Sequence, residues 1–244
     1  MRFSSIVIAF AALLNVGVAV AQQAAKTPLT NHADSVAYAF GLSIGQDLKR
    51  TGIEQVNTEV MAKAVAAALA GEETGFDADL IRELIVHTVT EAKGQLDGRL
   101  KGQADAFMES NRTREGVKTT ASGLQYEVIR EGTGEKPTPA DTVTVHYRGE
   151  LSDGKVFDSS YDRGEPVTFE LGRVIAGWQE GLQLMTAGAH YRIYVPYELA
   201  YGEQGAGPDI PPFSPLIFDI ELITVKKGAA EAPAVVEPID EPAR

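Results

Sequence analysis

The sequence predicts an α+β protein, with helices first and an antiparallel sheet second. Three observations carry that prediction. No proline lies between Pro28 and Pro137, apolar side chains in that stretch recur at helical spacing, and from Gly123 the apolar period falls to two. The 244-residue chain is 44% hydrophobic and 23% charged, a globular composition with length for one large or two modest domains.

Residues 1–21 read as a secretory signal peptide: Arg2 precedes an apolar run from Ile6 to Val20, which leaves through Ala19-Val20-Ala21 before Gln22. A membrane span needs about 20 apolar residues, and this run is shorter and ends in small ones. The mature protein is therefore expected to be exported, with no transmembrane anchor after cleavage. In residues 22–76, Val36, Phe40, Ile44 and Leu48 mark a first helix. Asn57 and Glu59 open a second, Ala-rich helix that runs through Ala62 to Ala70 and stops at Gly71. Only Tyr38, Phe40 and Phe76 supply aromatic bulk there, too little for a confident independent core, so a self-associating helical module is the better reading. Asp77 precedes a long connecting helix over residues 77–115 that carries Leu80, Leu84, Ile85, Val89, Leu96 and Leu100. Gly94, Gly98 and Gly102 are expected to weaken or bend it, since each costs about 1 kcal/mol relative to Ala.

Residues 116–227 form the strand-rich domain. Leu124, Tyr126 and Val128 alternate with polar neighbours, as do Val143, Val145 and Tyr147, then Val167, Phe169 and Leu171, then Tyr191, Ile193 and Val195. Leu216 to Val225 supplies a final strand, and a short helix around Trp178 to Met185 interrupts the series. Twelve of the 18 aromatic residues lie between Tyr126 and Phe218, which places the large core and any apolar pocket here. The Ala/Pro/acid-rich tail, residues 228–244, is expected to be disordered.

Composition and motifs exclude much ordinary chemistry. With no cysteine there is no disulfide framework, thiolate metal site or cysteine nucleophile. A net charge of −12 without a basic stripe argues against a nucleic-acid partner. Gly41-Leu42-Ser43-Ile44-Gly45 spells a serine-hydrolase elbow, yet it falls inside an amphipathic helix with no strand before it. The Gly202–Gly207 run lacks a following Lys-Ser/Thr and is read as a loop, not a phosphate cradle. His32, His87, His146 and His190 have no metal-ligand spacing, and no cofactor is expected. The carboxylate pairs Asp162/Glu165 and Asp219/Glu221 are expected to be solvated.

What remains is an apolar and aromatic set around few polar groups. Its segments GKVFDSS, VIAGWQEGLQLM, YVPYELAYGEQGAGPDIPP and PLIFDIEL, in that order, resemble the FKBP-type peptidyl-prolyl cis-trans isomerases over roughly residues 118 to 226. SVAYAFGLSIGQDL and EGVKTTASGLQYEVIREGTG resemble the helical module of the exported bacterial group of macrophage infectivity potentiators and FkpA proteins. The resemblance implies a bent antiparallel sheet wrapped around the short helix, and a pocket floored by Trp178. Its implied walls are Tyr147, Phe157, Val174, Ile175, Tyr201 and Phe218, with Ile210 on the bordering loop and Val167 at an edge where many members carry an aromatic residue. The N–H of Ile175 and the hydroxyl of Tyr201 would meet substrate carbonyls, and Asp158 would lie beside the prolyl carbonyl. Phe169 is read as core. Ala206 stands where many members have histidine, and both departures are expected to alter substrate preference or turnover.

The same resemblance implies proline-containing unfolded polypeptides as substrates, macrolide inhibitors as ligands, and a homodimer formed through residues 22–76. It also implies the periplasm of a Gram-negative bacterium, with outer-membrane association left open. An isomerase needs neither nucleophile nor metal. Rotation about an Xaa–Pro bond faces about 18–20 kcal/mol because twisting sacrifices amide resonance, and a water-poor pocket favours the less charge-separated twisted state. The competing reading is a holdase or binding module that grips Pro-containing segments with incidental turnover.

Overall fold

The structure, a computed structural model, describes residues 29–228; the signal-peptide segment and nearly all of the tail lie outside them. The chain divides into two compact units between Asp47 and Leu48, so helix α1 (His32–Arg50) contributes residues to both. Its first turn is capped by Asn31, whose Oδ1 accepts the Asp34 N–H at 2.9 Å. In the second unit, α2 (Thr58–Ala70) starts at the Asn57 cap, which accepts from the Val60 N–H, and ends at Gly71, left-handed at φ 67°. Helix α3 (Ala78–Arg112) is capped by Asp77 and runs 35 residues unbroken. The expected weakening at Gly94, Gly98 and Gly102 does not interrupt it. A Cβ at any of the three would meet nothing within 4 Å, so they serve no close packing in this chain.

Seven strands follow: β1 (Lys118–Thr119), β2 (Gln125–Arg130), β3 (Thr142–Leu151), β4 (Val156–Ser159), β5 (Val167–Glu170), β6 (His190–Val195) and β7 (Leu216–Lys226). They make one antiparallel sheet in the order β1-β2-β6-β7-β3-β4, with β5 also on β3. β3 is the hub. One edge pairs with β7 along its whole length, while the other is shared between β5 at Thr142–Val145 and β4 at Arg148–Glu150. The single helical turn α4 (Ser160–Arg163) follows β4 directly, and α5 (Ala176–Leu182) is the short helix, starting two residues earlier and stopping three short of the expected span.

Val143 and Val145 of β3, Tyr191, Ile193 and Val195 of β6, and Leu216, Phe218, Ile220 and Leu222 of β7 all bury on one face, as the two-residue period requires. Trp178, Leu182 and Met185 meet them from α5 and the turn after it. The opposite face is not simply solvated. Asp219 takes both nitrogens of a bidentate Arg192 contact at 2.6 and 3.1 Å, and Glu221 accepts from Tyr161 Oη at 2.7 Å, so this pair is engaged where the sequence suggested free carboxylates. Asp141 pins the start of β3 to the far end of β7. It accepts from the Thr138 N–H at 2.7 Å, Lys227 Nζ at 3.0 Å and the Gly228 N–H at 3.0 Å. Burial pushes this carboxyl up, but the donors together hold it well below the usual carboxylate range.

The last turns of α3 lie on the outer face near β2 and β6. Asn111 Nδ2 donates to Gln125 Oε1, Gln125 Nε2 donates to the Met108 carbonyl, and Arg114 donates to Tyr194 Oη at 2.7 Å. Tyr194 is out of phase with the buried residues of β6, yet it is 2% exposed, with Phe107 of α3 ring to ring at 6.5 Å.

Candidate active site

The cavity nearest the predicted constellation holds about 400 Å³ and is lined by Tyr147, Phe157, Asp158, Val167, Phe169, Arg173, Val174, Ile175, Trp178, Tyr201 and Phe218. β3 contributes Tyr147, β4 contributes Phe157 and Asp158, β5 contributes Val167 and Phe169, and β7 contributes Phe218. Trp178 is 5% exposed and stands edge-on to both Tyr147 and Phe218, with ring centroids 5.0 and 5.1 Å apart; Phe169 is tilted against it at 5.5 Å. Phe157 meets Phe218 edge to face at 5.6 Å. Gly149 makes room for that pair, since a Cβ there would fall 2.6 Å from the Phe157 ring and 2.9 Å from Phe218. The Trp178 Nε1–H is buried without a hydrogen-bond partner among the described residues, a cost that core positions generally avoid.

Nine of the ten predicted site residues line this cavity. Ile210 does not: it is 7% exposed, packs in the core, and exchanges backbone hydrogen bonds with Ala206 at 2.8 and 3.2 Å. Phe169, read as core from the sequence, does pack against the core, and it lines the cavity as well, because Val167 and Phe169 share one face of β5.

The polar edge joins two of the predicted residues, Asp158 and Tyr147, to Arg163, which the sequence reading passed over. Asp158 accepts from Tyr147 Oη on one oxygen and from Arg163 on the other, and Arg163 Nη2 also donates to Tyr147 Oη at 3.1 Å. Burial pushes the Asp158 carboxyl up, but the bonds from Tyr147 and Arg163 outweigh it and hold it below the ordinary value. Burial, followed by the hydrogen bond to Asp158, raises the Tyr147 phenol. Arg163 is placed by α4, whose Ser159 cap accepts from the Asp162 N–H and whose buried Ser160 Oγ accepts the Tyr147 N–H at 2.8 Å. Tyr201 lies at the mouth, 42% exposed, and its hydroxyl has no protein partner among the described residues.

Gln179 is the second such residue. Its Nε2 donates to the Val174 carbonyl at 2.7 Å and lies 3.2 Å from that of Gly172. The Val174 C=O and the Ile175 N–H belong to one planar peptide and point in opposite directions, so holding the first aims the second. The Ile175 carbonyl accepts the first helical N–H groups of α5, from Trp178 and Gln179, while the Ile175 N–H itself donates to no backbone carbonyl among the described residues.

With this geometry in place, the chain can be set beside known proteins. The profile described as FKBP-type peptidyl-prolyl cis-trans isomerase matches residues 133–223, and that of the domain amino-terminal to such isomerases matches residues 33–128. The 22 kDa FKBP-type peptidyl-prolyl cis-trans isomerase of Escherichia coli K12 is 41% identical over 192 residues, 78% of this chain and 93% of the relative. The chain belongs to the FKBP-type peptidyl-prolyl cis-trans isomerases. The outer membrane protein MIP of Legionella longbeachae is 37% identical across 90% of this chain and 97% of its own. Among solved structures, Escherichia coli FkpA superposes with a TM-score of 0.60 at 34% identity, covering 82% of this chain and 99% of that one. Membership makes the protein an enzyme of prolyl-bond isomerisation, as the spaced motifs implied.

Gln179→Leu keeps the bulk at that position but frees the Val174–Ile175 peptide. Its kcat/KM toward short Xaa–Pro peptides is expected to fall, with thermal unfolding near that of the wild type; a protease-coupled isomerisation assay and a melting curve check both. Unchanged kcat/KM would show that this peptide needs no such hold.

Proposed function

We propose that the protein isomerises Xaa–Pro bonds in unfolded or partly folded exported proteins, in the cavity over Trp178, with folding assistance as its task. The observation that carries this reading is the aromatic enclosure itself: Tyr147, Phe157, Phe169, Trp178 and Phe218 offer flat apolar faces for a pyrrolidine ring, with one carboxylate at the edge. A prolyl ring seated there would leave water behind, and the amide loses charge separation as it twists, so such surroundings favour the twisted state. The Ile175 N–H and the Tyr201 hydroxyl would anchor the flanking carbonyls while the peptide turns. Asp158, kept ionised by Tyr147 and Arg163, would lie beside the prolyl carbonyl. Macrolides of the kind that inhibit this family would occupy the same space and change the emission of Trp178, the single tryptophan. Val167 would leave one wall less aromatic and Ala206 the overlying loop without an imidazole, which would shift preference for the residue before proline.

Asp158→Ala and Tyr201→Phe are expected to lower kcat/KM with little change in stability, about tenfold for each 1.4 kcal/mol of transition-state contact removed. Protease-coupled assays read this. Wild-type rates in both variants would overturn the roles, and loss of folding would make the groups structural. A holdase activity has an observation of its own behind it: α1 and α2 bury no residue, with Phe40 at 66% and Leu69 at 86% exposed. Full protein-refolding assistance by Asp158→Ala would favour that reading.

The same exposed faces support assembly. Residues 22–76 would form the dimerisation module, residues 77–115 the connecting helix, and residues 116–227 the catalytic domain, with residues 228–244 as a tail. Val36, Phe40 and Ile44 remain 38% or more exposed in the single chain, and a symmetric second copy would cover them. Two pockets per particle would raise the effective concentration for an unfolded client. Cleavage after Ala21 would deliver the protein to the periplasm, and the name of the Legionella relative keeps association with the outer membrane in view. Among the described residues no helix is long and apolar enough to cross a membrane. Light scattering of the chain from Gln22 is expected to return twice the chain mass; a monomer at micromolar concentration would contradict it.

A further inference from the structure

The segment that carries Tyr201 is tied to a helix well outside the cavity. Tyr201 opens a loop that closes at Phe213, where the Phe213 N–H donates to the Gly202 carbonyl at 3.2 Å. Phe213 is the one described non-glycine residue with positive φ, at 56°. A bulky residue keeps that conformation only where its surroundings over-determine it. Those surroundings are identifiable: Phe213 is 6% exposed and packs with Tyr197, Ala104 and Leu100, a small apolar cluster separate from the main core. Tyr197 meets Phe213 edge-on at 5.3 Å, lies 5% exposed in the 3-10 turn Tyr197–Leu199 just before Tyr201, and receives a 2.7 Å hydrogen bond from Lys101 Nζ at its hydroxyl. Leu100, Lys101 and Ala104 are one turn of α3.

Both ends of the loop therefore rest on one turn of the connecting helix. We infer that Leu100, Lys101 and Ala104 of α3 act, through Tyr197 and Phe213, as positioning residues that hold the Tyr201 loop in its working geometry. The helix that links the modules is thereby a supporting part of the catalytic site. None of the five touches the cavity, so the effect passes through the backbone on either side of Tyr201. The inference rests on the reading that Tyr201 meets substrate, and its test keeps the two apart.

The test compares the full mature chain with Tyr197→Phe, Lys101→Met and Leu100→Ala. Arg114→Met is the control, since it cuts a bond of the same helix region to Tyr194 and Glu127 and leaves the loop anchors alone. The direct readout is hydrogen exchange at the Ala206, Ile210 and Phe213 amides, three that are bonded across the loop outside its 3-10 turn at Gly202–Gln204. Exchange there is expected to quicken in the three anchor variants and not in Arg114→Met, with β6 and β7 unchanged. In parallel, kcat/KM on peptides is expected to fall roughly three- to tenfold in the anchor variants, as small misplacements of a site do. Loop exchange at the wild-type rate in all three, or equal quickening in Arg114→Met, would overturn the inference. Tyr201→Phe runs alongside. If it turns over like the wild type, the role of Tyr201 falls, while the exchange comparison alone still decides whether α3 holds the loop.

Discussion

The close approach of α5 to β6 is the constraint on which the site depends. At Gly177 a Cβ would fall 2.3 Å from Val195 Cγ1, and at Gly181 one would lie 3.1 Å from Ile193 Cδ1. The helix lies that near the sheet because Gly177 has no side chain, while a side chain at Gly181 would ask Ile193 to give by a few tenths of an ångström. Trp178 sits beside Gly177, so the same approach that buries Leu182 and Met185 drives the indole under Tyr147, Phe169 and Phe218. Each such aromatic pair adds about 0.5–1.5 kcal/mol beyond its buried area, and the cluster is at once the end of the core and the floor of the cavity. On the proposed reading stability and function share these rings, whose mutual packing keeps the apolar surface rigid.

Around that floor the polar groups are few, and apart from the Tyr201 hydroxyl the side chains among them are restrained. Tyr147 and Arg163 occupy the two oxygens of Asp158, and Ser160 ties β3 to the turn that presents Arg163. Gln179 sets a peptide plane from the helix side. On the proposed reading this is preorganisation: dipoles and the Asp158–Arg163 ion pair are fixed before substrate arrives, so little reorganisation opposes the turning amide. That reading calls for no nucleophile and gives the groups that bear charge an orienting role.

Much of this was legible in the sequence, for reasons that differ by element. Asn57, Gly71 and Asp77 cap helices where they stand because capping is local chemistry. Strands β3, β6 and β7 show their period of two, whereas β1, of two residues, is too short to show any and β4, Val-Phe-Asp-Ser, does not alternate. Helix α3 survives three glycines because its N-terminus is capped and its last turns are bonded to the sheet, a tertiary gain that no propensity scale contains. The cavity-lining aromatic residues could be named from spaced motifs, but Arg163 and Gln179 could not. A surface arginine and a helical glutamine carry no signal until the fold brings Asp158 and the Val174 carbonyl to them. The same holds for Asp219, whose partner Arg192 lies across a strand pairing, and for Tyr194, buried only because α3 covers the outer face.

The central claim is that a dry, preorganised aromatic cavity turns the prolyl bond without transferring a proton. Asp158 is held below its ordinary value and Tyr147 above its own, so both keep one protonation state across the neutral range. The most direct test is kcat/KM for an Xaa–Pro peptide from about pH 6 to about pH 9, in water and in deuterium oxide. The account predicts a flat profile with rates nearly equal in the two solvents. A bell-shaped profile, or a large solvent isotope effect, would contradict it.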